Sequence, residues 1–324
     1  MKALLCKQHG LPDTLVLEET PDPVPGPGDV VVEMKAAGVN FPDVLIIQNK
    51  YQFKPPLPFA PGAELAGIVS AVGSEVPRFK VGDRVIGSCG HGAFAEKVKV
   101  PATRLIPLPA GVDFETGAAF TLTYGTSWHA IKDRAALQSG ETMLVLGAAG
   151  GVGLAAIEIG KALGARVIAA ASSEEKLRVC REHGADSTIN YSNEDLRQRI
   201  KALSDGKGPD VVYDPVGGQF TEQAFRSIAW RGRHLVVGFA NGEIPKLPLN
   251  LALLKGAAIV GVFWGDHVAR EPAQFAAELA TMFDLVAKRR LRPHISARYP
   301  LAQGAQAISD MMNRKVIGKI VITN

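Results

Sequence analysis

The sequence predicts an α/β fold built on a doubly wound parallel sheet, with a second, β-rich domain ahead of it. Three observations predict it. Residues 142–171, TMLVLGAAGGVGLAAIEIGKALGARVIAAA, read as strand, glycine turn, helix and strand. Beyond Ser173, short apolar runs keep alternating with amphipathic ones, six strands in all, as in two mononucleotide-type halves. Residues 1 to about 120 instead carry many short strand patterns separated by glycine and proline.

In the first stretch, Ala3–Leu5, Leu15–Glu18 and Asp29–Ala36 are strand-like, the last alternating Val30, Val32, Met34 against Val31, Glu33, Lys35. Pro21–Gly28 is an irregular connector, because its prolines cannot donate to a ladder. Gly38–Tyr51 reads as a loop entering a short helix. Pro61–Gly73, Val81–Val85 and Gly92–Val100 add further strands, and Glu115–Phe120 and Thr126–Leu137 are helical.

In the second stretch, Val152, Ala155, Ala156, Ile159 and Leu163 follow the glycine turn at helical spacing. Gly164 stands where a left-handed residue ends a helix. Helices are predicted over Glu174–His183, Asn193–Leu203, Phe220–Ile228 and Glu271–Lys288. The remaining strands are Asp186–Asn190, Asp210–Tyr213, Arg233–Gly238 and Ala257–Val262. The tail from Arg292 reads strand, helix, strand, and its strands are expected to return to the first domain. The domains are therefore drawn as 1–122, 123–264 and a returning 265–324.

Composition excludes several classes. Hydrophobic residues make up 47% of the 324 residues, enough for two cores, yet charges and glycines interrupt every apolar run before membrane-spanning length. MKALLCKQHG has only a short apolar patch, so no secretory signal is read and a cytoplasmic protein is expected. With a net charge of +4 and no basic stripe carrying aromatics, nucleic acid is not an expected partner. The basic run Lys288–Arg290, with Arg292, is expected to cap its own helix. Cys6, Cys89 and Cys180 have no metal-ligand or disulfide spacing.

The glycines point to a ligand. Gly147, Gly150, Gly151 and Gly153, with Val152 among them, form a G-x-x-G-x-x-G turn between strand and helix. Backbone N–H groups approach a pyrophosphate closely only where no Cβ intrudes, and the helix N-terminus adds partial positive charge. A ligand-free tight turn is the competing reading. NAD sites carry an acid about 20 residues further on, at the tip of the second strand. Here Ala170 and Ala171 are followed by Ser172, Ser173 and Lys176. A hydroxyl and a cation suit a 2′-phosphate, so NADPH is expected over NADH. Read otherwise, Lys176 is an ordinary solvated helix lysine.

The chain resembles the medium-chain dehydrogenase/reductase superfamily, and within it the zinc-free quinone oxidoreductases that include zeta-crystallin. The carriers are PVPGPGDVVVEMKAAGVNFPD at 23–43, PGAELAGIVSAVG at 61–73, GDRV at 82–85, TSWHAI at 126–131, GAAGGVG at 147–153, GAD and INY within 184–191, and GKIVI at 318–322. The resemblance implies a GroES-like β-rich catalytic domain plus a Rossmann domain, with the active site in the cleft between them. It also implies a homodimer formed through the last Rossmann strand, near Ala257–Val262. Zinc-dependent relatives carry a Cys and a Gly-His-Glu triplet where this chain has Asn40 and Gly62-Ala63-Glu64, and the four-cysteine lobe is missing. No metal is therefore expected.

The same resemblance suggests roles for individual residues. Asn40 matches an asparagine that could donate its amide to a substrate carbonyl, although a turn-stabilising side chain is the alternative. Tyr51 matches a pocket tyrosine, or is a surface aromatic. Thr126 matches the threonine beside the nicotinamide, or a helix N-cap. Tyr191 matches a tyrosine near the adenosine phosphate, and Arg314 a basic residue that reaches the 2′-phosphate. Gly217 and Gly238 are expected at the cofactor crevice. Phe239, Phe263 and Trp264 are expected along the nicotinamide pocket, or as core or dimer aromatics. His129, His183 and His234 receive no catalytic role. The expected activity is metal-free hydride transfer from NADPH to a quinone. Reduction of an enone or enoyl thioester is the near alternative, and a non-catalytic NADPH-binding protein the distant one.

Overall fold

The computed structural model describes residues 1–324, which divide into two compact units, Met1–Leu122 with Pro293–Asn324, and Thr123–Arg292. The first begins with an antiparallel ribbon, β1 (Lys2–Leu5) on β2 (Val16–Glu19). β3 (Asp29–Gly38) and the short α1 (Phe41–Ile46) follow. Then come β4 (Glu64–Val72), β5 (Arg84–Ser88), β6 (Lys97–Pro101), β7 (Leu105–Pro107) and α2 (Phe114–Ala118).

The next helix, α3 (Thr121–Trp128), runs into a π-helical segment, His129–Arg134. The second unit then alternates strictly. β8 (Thr142–Val145), α4 (Gly151–Ala162), β9 (Arg166–Ala171), α5 (Glu174–Glu182), β10 (Ser187–Asn190) and α6 (Leu196–Leu203) form one half. β11 (Val211–Asp214), α7 (Gln219–Ser227), β12 (Arg233–Val236), α8 (Asn250–Lys255) and β13 (Ala258–Gly261) form the other. All six strands are parallel, in the order β10-β9-β8-β11-β12-β13. Taken in sequence order this is 3-2-1-4-5-6, the doubly wound arrangement, and β8 is the strand at which the order reverses. Leu144, Ile168, Ile189 and Val212 fill the sheet's core and are fully buried.

Two helices, α9 (Trp264–Arg270) and α10 (Pro272–Ala287), complete the second unit. The return to the first unit therefore starts at Pro293, not at residue 265 as the sequence suggested. Hydrogen bonds explain the difference. The Arg290 guanidinium donates to Ala162 O at the end of α4, and Arg292 donates to Glu182 O at the end of α5. The basic run thus caps two other helices, where partial negative charge favours it, rather than its own. Buried Glu158, in the middle of α4, accepts from Arg292 N and from the Tyr124 hydroxyl, and pairs with His183.

The chain ends with β14 (Ile295–Pro300), α11 (Gly304–Met312) and β15 (Lys319–Thr323). These strands extend the first unit's sheet to seven, in the order β14-β15-β3-β4-β5-β7, with β6 also pairing with β3. β3 is long enough to serve three neighbours, β15, β4 and β6. Its residues Val30, Val32 and Met34 enter a core shared with Leu4, Leu65, Phe94 and Ile322. No helix of the protein is long and apolar enough to cross a membrane.

Candidate active site

The parallel sheet places the candidate cofactor residues along one edge. The glycine turn follows β8, Ser172 and Lys176 follow β9, Tyr191 follows β10, Gly217 follows β11 and Gly238 follows β12. This is the carboxyl edge, where doubly wound sheets take their ligands. Gly147 has φ +56°, and a Cβ there would come within 2.7 Å of Val216 Cγ2. At Gly153 a Cβ would strike Gly147 O and Ala148 O at 2.6 Å, so this glycine lets α4 pack onto the turn. Gly150, the N-cap of α4, has no neighbour nearer than 3.4 Å to such a Cβ. Gly151 and Val152 begin the helix. Open space, free helix-start N–H groups and a twelve-residue helix behind them make a cradle for a phosphate.

At the tip of β9, buried Ala169–Ala171 present no carboxylate. Ser173 caps α5 by accepting from Lys176 N, and the Lys176 ammonium lies 3.3 Å from Ser172 Oγ. Ser192 Oγ donates to Ser172 O at 2.9 Å. The Tyr191 ring packs on Phe220 with centroids 4.5 Å apart. Hydroxyls and an ammonium thus gather beside the second strand, where an NAD site would carry an acid.

The loop after β11 is built on buried Asp214. Its Oδ1 accepts from Val216 N and Gly217 N, and its Oδ2 accepts from Thr221 and contacts His234 Nε2. Burial opposes its charge, but these bonds, with His234 foremost, hold its pKa below the ordinary carboxylate value. The arrangement fixes Gly217, where a Cβ would lie 2.9 Å from Phe239. Phe263 is more than half exposed, whereas Trp264 is buried against Phe275 and would lie 2.7 Å from a Cβ on Gly125. Trp264 is therefore a core residue. Thr126 lies inside α3, so it is no N-cap.

In the first unit, Asn40 is not available as expected. Its Nδ2 donates to Glu64 Oε1 at 2.8 Å and to Gly38 O at 3.3 Å, and its Oδ1 accepts from Lys319 Nζ at 2.6 Å. Both amide hydrogens are spent inside the protein, the shorter bond on Glu64, 24 residues along the chain. Lys319 also donates to Glu64 Oε1 and to Val39 O, and Glu64 Oε2 accepts from Leu122 N. Asp43 closes the capping box of α1, accepting from Asn40 N and Gly62 N. Burial pushes its pKa up to about 7 against those bonds and Lys319. Sequence reasoning missed Lys319, Glu64 and Asp43 as a group; a lysine at the head of the apolar run in GKIVI was the available signal. Tyr51 packs half-buried against the core, and burial, with Asp43, raises its pKa. Arg314 is exposed just past α11, in left-handed backbone at φ +59°.

A seven-stranded antiparallel-rich unit and a six-stranded doubly wound sheet in one chain define a medium-chain dehydrogenase/reductase. Residues 26–110 match the family described as alcohol dehydrogenase GroES-like domain, and residues 151–284 the one described as zinc-binding dehydrogenase. The chain is 39% identical to "Quinone oxidoreductase-like protein 2 homolog" of Nematostella vectensis, over 99% of this chain and 88% of that one. It is 39% identical to "Quinone oxidoreductase" of Pseudomonas aeruginosa, over 97% of each. The crystal structure of Escherichia coli quinone oxidoreductase complexed with NADPH superposes with a TM-score of 0.95 at 30% identity, over 100% of both chains. The chain belongs to the quinone oxidoreductase family and is an oxidoreductase.

Two outcomes follow from the first unit's polar cluster. Lys319→Met leaves the buried Glu64 without its cation and should destabilise by about 3–5 kcal/mol, whereas adding Glu64→Gln should recover most of that loss. Urea midpoints of the two single variants and the double variant check it; additive losses would contradict the coupling. For Asp43, the folded state holds its proton more tightly than the unfolded chain does, so the residue favours folding in acid. Its contribution should fall as pH rises from about 4 to about 7. Wild type should therefore lose stability relative to Asp43→Asn across that window, and parallel profiles would refute a raised pKa.

Proposed function

We propose that the protein binds NADPH along the carboxyl edge of its parallel sheet and reduces quinones without a metal at the reacting centre. The observation that carries the cofactor reading is the pairing of the open Gly150 cradle with the acid-free tip of β9. When bound, the coenzyme supplies the hydride. Helix-start N–H groups at Gly151–Gly153 would hold the pyrophosphate, with Ser172 and Lys176 on the 2′-phosphate and Tyr191 along the adenosine side. Gly217, Gly238 and Phe239 would border the same edge, with Thr126 and Phe263 toward the nicotinamide and Arg314 as a second phosphate contact.

The metal-free reading rests on the chain's own residues. The ammonium of Lys319 already stands 2.6 Å from Asn40 Oδ1 and 2.7 Å from Glu64 Oε1, and a second cation beside it would be repelled. Without a Lewis acid, acceptors that spread the arriving charge by conjugation are favoured. Tyr51, whose raised pKa keeps it protonated at neutral pH, would donate a hydrogen bond to the acceptor oxygen. Asn40 acts one step back, as a positioning residue that fixes the start of α1. The names of the relatives favour a quinone over an enone.

Initial rates of NADPH oxidation should be higher with quinones than with enones or enoyl thioesters. Tight NADPH binding with no turnover on any acceptor would instead support a non-catalytic protein. In the same assay Lys176→Ala should raise KM for NADPH about 10- to 100-fold and leave KM for NADH nearly unchanged; equal losses would remove the phosphate role.

We further propose a homodimer through the edge of the parallel sheet. β13 is the outer strand, and Leu253 and Leu254 on α8 are 78% and 66% exposed, with Ile259 and Phe263 nearby in sequence. An uncovered edge with such neighbours is a pairing surface. Sedimentation should give a dimer for wild type and a monomer for Leu253→Glu with Leu254→Glu; an unchanged mass would exclude this face.

A further inference from the structure

We propose that His129, Asp133 and His267 bind a zinc-type divalent cation that fastens α9 to the π-helical segment after α3. The fold brings these residues together within the second unit, although their spacing along the chain does not signal a metal. Each offers one ligand atom, and these atoms all lie within 4.8 Å of one another. The two imidazole rings are stacked 4.1 Å apart and nearly parallel, at 13°. Both side chains are more than nine-tenths buried.

The nitrogens are the second observation. Nδ1 of His129 and Nδ1 of His267 are both buried and make no hydrogen bond. Each nevertheless lies close to a carboxylate oxygen, His129 Nδ1 2.9 Å from Asp133 and His267 Nδ1 3.2 Å from Glu271. A buried polar nitrogen that close to an acceptor, without hydrogen-bond alignment, costs free energy unless a cation is shared between them. On its other side, His267 Nε2 meets Glu278 Oε2 at 3.0 Å. With its proton on Nε2, His267 turns an Nδ1 lone pair toward the cluster, and a carboxylate behind the ring is the usual support of a metal-bound histidine.

Two imidazoles and one or two carboxylates form a nitrogen–oxygen set suited to zinc, cobalt or nickel rather than to magnesium or calcium. Ligands around tetrahedral zinc stand about 3.4 Å apart for bonds of about 2.0–2.1 Å. Binding would turn the two rings out of their stack, so that both Nδ1 lone pairs meet at the ion. The site's residues are other than Asn40 and Ala63, the positions at which zinc-dependent relatives carry their ligands. Its role would be structural, because it ties the helix that begins at Trp264 to the helix that carries Thr126.

The test uses the full chain, stripped with a chelator and titrated with zinc chloride, cobalt chloride or magnesium chloride. One zinc per chain, a raised thermal midpoint and the visible absorption of tetrahedral cobalt are expected, with no effect of magnesium. His129→Gln should abolish the cobalt spectrum. Asp133→Asn, at a partly exposed position that leaves the core intact, should weaken zinc binding at least tenfold. If the stripped protein takes up no zinc, or binds it equally well in both variants, or responds to magnesium alone, the proposal is wrong and the stacked imidazoles share only protons.

Discussion

A single ammonium group organises the first unit. Lys319 enters from β15, Glu64 begins β4, and Asn40 ends the turn after β3, so one buried contact joins the chain's end to two segments near its start. Burying a lysine and a glutamate costs several kcal/mol each in lost hydration, and only good geometry repays it. Here the remaining capacity is used. Glu64 also accepts from Asn40 Nδ2 and Leu122 N, and Lys319 also reaches Val39 O. Because the partners come from distant segments, the contact forms only when β15 is in register beside β3, at Val321 opposite Gly38. The discontinuous unit is thereby specified as much as stabilised.

The second unit depends on a different constraint, imposed by backbone rather than charge. A parallel strand leads into its helix through a short turn, and the turn after β8 has to reverse the chain while leaving the start of α4 uncovered. Gly147 supplies the left-handed backbone and Gly153 the close approach. Gly150 contributes the open space between them. Similar economy appears after β11, where one buried carboxylate, Asp214, takes hydrogen bonds from two successive N–H groups and so sets Gly217. The turns are rigid because their polar groups are satisfied internally, which lets the N–H groups at the start of α4 remain available.

Most of the second unit was legible in the sequence because its signals are local. Strand–helix alternation, the glycine turn and Gly164 each act within a few residues, and all six strands fall at or within two residues of where apolar runs put them. What was missed is either short or non-local. α8 and α9 lack a long periodic face, and the π-helical segment over His129–Arg134 cannot be told from the end of a helix by pattern alone. The boundary at Pro293 depends on Arg290 and Arg292 finding the ends of α4 and α5, which no window of sequence contains. In the candidate site the sequence pointed to Asn40 but not to its partners. Its amide is committed by a lysine and a glutamate far along the chain.

The distribution of charge gives the two units different capacities. In the first, Lys319 is fully enclosed and matched by Glu64, so it is spent on structure and has nothing left for a ligand. In the second, Lys176 lies next to the hydroxyl of Ser172, on a helix whose first turn also holds Glu174 and Glu175. Those acids are matched locally, since Glu174 pairs with Arg181 and the helix start favours them. The tip of β9 therefore carries an ammonium and serine hydroxyls, with no acid on the strand itself. A neutral ribose gains little from such a place, whereas a phosphate dianion gains most where its oxygens meet a cation in partial burial. With hydroxyls and an ammonium where an acid would suit a ribose 2′-hydroxyl, the tip of β9 fits a phosphorylated dinucleotide better than an unphosphorylated one.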